Sequence, residues 1–168
     1  MHIPHGVTAV AIGAALVAGF ALNQFAQADD MTTFTITTDT GVEESIDIGP
    51  DGISVGDVLV FTANFTTEDG TPGTINGYHV ATDLTDPDDP LANMVSTIVF
   101  EFGGDDSIVV AQSSTGTFQG DSMVDWTAGG QQLRAIIGGT GKFIGAKGQV
   151  IGKQTADGSW SQEFLLVD

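Results

Sequence analysis

A two-residue alternation of apolar and polar side chains runs through most of this 168-residue chain, and little besides a β-sheet can accommodate it. Thr32 to Thr38 puts Phe34 and Ile36 on one face and threonines on the other. Ser45 to Ile48 repeats the pattern. Asp57 to Phe65, Gly73 to Thr82, Met94 to Phe102, Ser107 to Phe118, Leu133 to Ile137, Ala146 to Gln154 and Trp160 to Val167 extend it. These segments are rich in Val, Ile, Thr and Phe, which suit a pleated surface. Between them lie Gly49-Pro50-Asp51-Gly52, Glu68-Asp69-Gly70, Asp86 to Pro90, Gly103 to Asp106, Ala128 to Gly130 and Asp157-Gly158. Asp-Gly and Gly-Gly pairs supply the backbone geometry that hairpins need. After the first 28 residues no segment carries a helical stripe. Eight or nine strands joined in this way predict an all-β fold, a single antiparallel β-barrel whose closure removes the sheet edges. A two-sheet sandwich fits the same strand count.

Residues 1–28 are of another kind. Gly6 to Leu22 is small and apolar, and Ala26-Gln27-Ala28 forms a small-x-small cleavage site ahead of Asp29-Asp30. This is the pattern of a secretory signal peptide, with His2 and His5 where Lys or Arg is usual. The apolar run falls short of the ~20 residues of a membrane span, and Asn23 and Gln24 end it. We therefore expect a leader over 1–28, one barrel domain over 29–168, and a secreted or otherwise extracytoplasmic product with no stable membrane insertion once the leader is removed. An uncleaved anchor is the alternative. A mature chain of this size buries about two-thirds of its unfolded surface and needs no cross-link. It has no cysteine, which removes thiol nucleophiles and cysteine-based zinc sites.

Charge narrows the partners. There are 22 Asp and Glu against 4 Lys and Arg, and the four cations, Arg134, Lys142, Lys147 and Lys153, all fall late in the chain. Nucleic acid needs clustered cations and is excluded as a partner. Anionic surfaces and substrates are disfavoured for the same Coulombic reason. The acidity describes a well-solvated surface, or one suited to a salty medium that screens its self-repulsion.

Two stretches carry a family resemblance: Val55 to Thr62 followed by Gly73 to Gly77, and Ile137-Gly138-Gly139-Thr140-Gly141-Lys142-Phe143-Ile144-Gly145-Ala146-Lys147-Gly148. The second resembles the signature of the allene oxide cyclase and dirigent barrel superfamily. The segment from Thr37 to Asp57 is similar to small exported bacterial members of that group. The resemblance implies a barrel with an apolar interior open at one end, which confines a flexible molecule and steers its cyclisation or coupling without a cofactor. It also implies a homotrimer. Thr74 stands where dirigent proteins carry an arginine. In the plant cyclases an asparagine falls at Ala63, one residue from Asn64, and a pocket cysteine falls at His79. Glu43 and Glu44 lie in the region of those cyclases' catalytic acid.

His79, the sole histidine after the leader, is a candidate proton donor or acceptor if it faces inward, and otherwise a hydrogen-bonded structural residue. Glu101 interrupts an apolar strand; inside the barrel it would be a general acid, although alternation with Phe100 and Phe102 turns it to solvent. Phe61, Phe65, Ile98 and Phe100 are the expected lining of a pocket, or equally the filling of a solid core. Trp126 and Trp160 sit in or beside loop-like stretches, and Trp126, after Asp125 in a polar segment, can cap a barrel mouth or pack over one end of the core. Asp83, Asp86, Asp88 and Asp89 form an acidic loop whose spacing does not match an EF-hand, and we assign no metal site. The glycine run lacks the phosphate-binding spacing. The expected partner is a small apolar or amphipathic molecule. The alternative is a non-enzymatic structural or interaction module of the cell exterior, which requires a filled interior.

Overall fold

The computed structural model describes residues 31–52, 54–84, 91–119, 122–124 and 131–167. The leader, the Asp86 to Pro90 and Ala128 to Gly130 turns and Trp126 lie outside them. The described residues form ten strands: β1 (Met31–Thr38), β2 (Val42–Ile46), β3 (Val58–Thr67), β4 (Pro72–Leu84), β5 (Leu91–Glu101), β6 (Ser107–Gln119), β7 (Ser122–Val124), β8 (Gln131–Thr140), β9 (Gly148–Gln154) and β10 (Trp160–Val167). A single 3-10 turn, Gly141–Phe143, separates β8 from β9. No described helix is long and apolar enough to cross a membrane.

The sheet is antiparallel and closes on itself. Its order runs β1-β10-β9-β8-β6-β5-β4-β3, and β3 returns to β1 through Ile36↔Thr67, Thr37↔Thr66 and Thr38↔Phe65. This ring of eight strands is a barrel and excludes the sandwich. β2 and β7 lie off the ring. β2 pairs β3 from Val42↔Thr62 to Ile46↔Val58, so it prolongs β1 along the same edge after an extra residue at Asp39–Gly41. All five β2 residues are exposed; the alternation expected over Ser45 to Ile48 does not yield a buried face there. The short β7 pairs β6 and has too few residues to show a period in sequence.

Inward positions follow strand parity. Leu59, Phe65, Ile75, Ile98, Phe100, Ile108, Val110, Ile136, Val150 and Phe164 are buried and form the core with Ile36 and Phe102. One end of the interior is closed by phenylalanine. Phe34 stacks on Phe164 at 4.6 Å, Phe100 meets Phe164 edge-on at 4.9 Å, and Phe65 meets Phe102 edge-on at 5.0 Å. Phe143, from the 3-10 turn, packs 4.9 Å from Phe102, with the Lys142 ammonium 5.0 Å over its ring. The glycine run from Gly138 to Gly148 thus turns β8 into β9 at this closed end. Gly141 has a positive φ of 57° that L side chains rarely adopt, and a β-carbon there would meet the Asp106 carboxylate. A β-carbon at Gly148, also at positive φ, would collide with the Leu165 carbonyl.

Candidate functional site

Above the phenylalanine floor the interior is hollow. A cavity of about 520 Å³ is walled by Leu59, Phe61, Ala63, Ile75, Ile98 and Phe100 on its apolar side. Exposed residues at the β1–β2 bend (Asp39, Thr40, Gly41), at Glu43 and at the β9–β10 turn (Asp157) share the lining, so the cavity opens to solvent at that end. Trp160 also lines it, whereas Trp126, the residue expected to cap a barrel mouth, lies outside the described residues.

Two glycines of β4 shape the wall. Phe61 pairs with Gly77, and Phe65 with Gly73. A β-carbon on Gly77 would lie 2.5 Å from the Phe61 ring, and one on Gly73 would overlap Phe65. Each ring therefore lies flat over a residue without a side chain. Phe61 extends over His79 as well, at 4.9 Å and 19° from parallel.

Polar groups share the interior. His79 is 3% exposed and lines the cavity, and its Nδ1 lies 2.5 Å from the hydroxyl of Ser96 on β5. The two residues are register partners, and Ser96 pairs in turn with Gln112 of β6. Ala111 pairs with Ala135, which puts Arg134 of β8 at the next step of this row. Arg134 is 5% exposed and also lines the cavity, its Nη2 donating to Gln132 Oε1. Gln162 of β10, 6% exposed, joins it from the far side. Gly152 lies between them: it pairs with Gln132 and with Gln162, and a β-carbon on it would sit 2.7 Å from Gln162 Oε1 and 2.9 Å from Arg134 Nη1. The result is a polar belt across β4, β5, β6, β8 and β10.

Of the residues proposed from sequence, Phe61, Ile98, Phe100 and His79 meet at the cavity. Phe65 is buried below it among the floor phenylalanines. Glu101 is on the outside, exposed, its Oε2 accepting a 2.9 Å hydrogen bond from Thr74 Oγ1; it is one position out of phase with Phe100 and Phe102. It belongs to a shallow outer groove of about 870 Å³ beside Asp105 and Asp106, which shares no lining residue with the interior cavity. Asp106 there pairs with Lys142 at 3.1 Å, and the Lys142 backbone and ammonium hold its carboxyl below the usual carboxylate range. No three His, Asp or Glu side chains among the described residues gather as a metal site would require. Ser96, Gln112, Arg134 and Gln162 were missed. Their signal was parity: each shares the inward phase of Ile98, Val110, Ile136 and Phe164, respectively.

No protein-family model matches the chain, and no curated protein matches it in sequence. Solved structures do resemble it. A pyocyanin demethylase superposes with a TM-score of 0.55 at 21% identity, over 81% of this chain and 99% of its own. The Diels Alderase AbmU from Streptomyces koyangensis gives 0.57 at 17% identity, over 89% of this chain and 69% of its own. A nonspecific heme-binding cyclase that catalyses [4 + 2] cycloaddition during neoabyssomicin biosynthesis gives 0.54 at 21%, over 92% and 72%. At these identities the likeness is one of fold: this chain is a closed β-barrel of the kind that the demethylase, the Diels Alderase and the cyclase also adopt.

Proposed function

We propose that the barrel receives a small amphipathic or apolar molecule through its open end and holds it in one folded conformation, guiding cyclisation or isomerisation without a cofactor, outside the cytoplasm. The carrying observation is the placement of Arg134. The chain has four Lys and Arg in all, against 22 acidic residues, and one of the four is buried against an interior cavity. Arginine is seldom buried without a task, and folding alone would favour an apolar residue at this position. The cavity exceeds the ~300 Å³ that a small ligand requires, whereas the alternative of a ligand-free exterior module calls for a solid core.

Confinement supplies most of the chemistry in this reading, since holding reacting atoms together removes an entropic barrier. Phe61, Ile98 and Phe100 shape the apolar body of the ligand. His79, oriented by Ser96 and stacked by Phe61, is the proton donor or acceptor. The leader over 1–28 would deliver the protein outside the cytoplasm.

Native mass spectrometry against lipid, polyketide and phenolic libraries tests the binding, and turnover of any binder tests the chemistry. His79→Ala lowers turnover by about 10²–10⁴-fold. Glu101→Gln, on the outer wall, leaves it unchanged. No bound molecule from any library, or equal loss in both variants, rejects this function.

A further inference from the structure

Resting on the ligand-binding reading, the interior also indicates which chemical group the ligand carries. Gln162 Oε1 is enclosed and has no hydrogen-bond partner among the described residues. A buried carbonyl oxygen left unmatched costs about 1–3 kcal/mol, and a filled apolar interior would have avoided it. The oxygen belongs to a residue lining the cavity, so it calls for a donor there. Arg134 Nη1 converges on the same point, because both atoms lie within 3 Å of where Gly152 would carry a β-carbon. Guanidinium groups only donate. The spot thus presents an acceptor and a cationic donor side by side. They sit at one edge of a cavity whose other wall is Phe61, Ile98 and Phe100.

A carboxylate, acceptor-only, would set its negative charge against the partial negative charge of Gln162 Oε1. An ether or ester oxygen leaves Gln162 unmatched. A hydroxyl suits both groups: its O–H donates to Gln162 Oε1, and its oxygen can accept from the neighbouring Arg134 guanidinium. We propose that Arg134 and Gln162, brought together over Gly152, form a subsite for a hydroxyl of the ligand, such as a phenol, an enol or a neutral acid. Gly152 is its positioning residue, since any side chain there drives the two groups apart.

Three matched probes test this by titration calorimetry: 2-naphthol, its methyl ether 2-methoxynaphthalene, and 2-naphthoate. The wild type binds 2-naphthol about tenfold or more tightly than the ether. Gly152→Ala and Gln162→Leu bring that ratio down to about one while leaving ether affinity in place. Gln162→Leu also keeps or raises the melting temperature, because it removes the unmatched oxygen. If Gly152→Ala fails to fold, Gln162→Leu alone decides. Equal binding of naphthol and ether by the wild type overturns the hydroxyl subsite and leaves the ligand-binding barrel standing. Tightest binding by 2-naphthoate overturns it in favour of an anion site with the Gln162 amide reversed. Failure of all three probes overturns the subsite, while the barrel's ligand-binding reading is decided separately by the library screen.

Discussion

Asp57 stands just before β3 and is 9% exposed. Sequence placed it in the strand, because DVLVFTANF reads as one alternating run. In the fold it ties down the loop after β2 instead: Ile48 N donates to its Oδ1 at 2.9 Å, Ser54 N to its Oδ2 at 2.7 Å, and the Ser54 hydroxyl to its Oδ1 at 3.0 Å. Burial opposes its ionisation, but these three donors outweigh burial and hold the carboxyl below the usual range. Asp57→Ala strands two backbone donors and costs about 1–3 kcal/mol at neutral pH, measured by urea unfolding. The same sign applies to Asp69, Asp106 and Asp157. The hydroxyls and the amide of Thr155 and Ser159 bring Asp157 from 3.8 down to about 2. A carboxyl depressed by folding adds stability that is fully present above its unfolded value. Melting temperature therefore falls as pH drops from 3.8 toward about 2, and Asp57→Ala melts with a shallower acid slope than the wild type.

At the level of strands, alternation was legible because each strand reports its own parity. The inward faces of β3 and β5 could be read directly, as could the outward phase of Glu101. The cavity could not. Parity could turn His79, Ser96, Gln112 and Arg134 inward one strand at a time, but they become a belt only through the registers of β4, β5, β6 and β8. Register is a long-range property, fixed by closure and by the bulge that skips Ile137 between Val109↔Gly138 and Val110↔Ile136. The glycines that admit Phe61 and Phe65 were likewise invisible until β3 was laid against β4. β10 shows the division of labour within one strand, with Phe164 in the floor and Gln162 in the belt. Phe164 is fully buried and touches the rings of Phe34, Phe100 and Phe102. Phe164→Ala destabilises by about 3–5 kcal/mol in denaturant titration.

Over the whole molecule, a net charge of −18 is spread unevenly. The outer faces of β3, β4, β5 and β6 carry Val58, Val60, Tyr78, Val80, Val95, Val99 and Val109, with Glu101 at one corner. Tyr78 and Val95 remain 44% and 46% exposed on this neutral wall. Such a patch on an acidic protein suits contact with a second copy of itself. Sedimentation should show an oligomer that strengthens with added salt, and Tyr78→Lys combined with Val95→Lys should sediment as a monomer; a wild type that is monomeric at every salt concentration refutes the assembly. The floor of stacked phenylalanines has a consequence of another sort. It gathers the barrel's stacked rings at one end, so the residues bordering the cavity carry a smaller share of the aromatic packing. Ligand preference in such a vessel can drift by substitutions at 61, 63, 79, 134 and 162 while the architecture persists, and a library randomised at those five sites should retain mostly well-folded members.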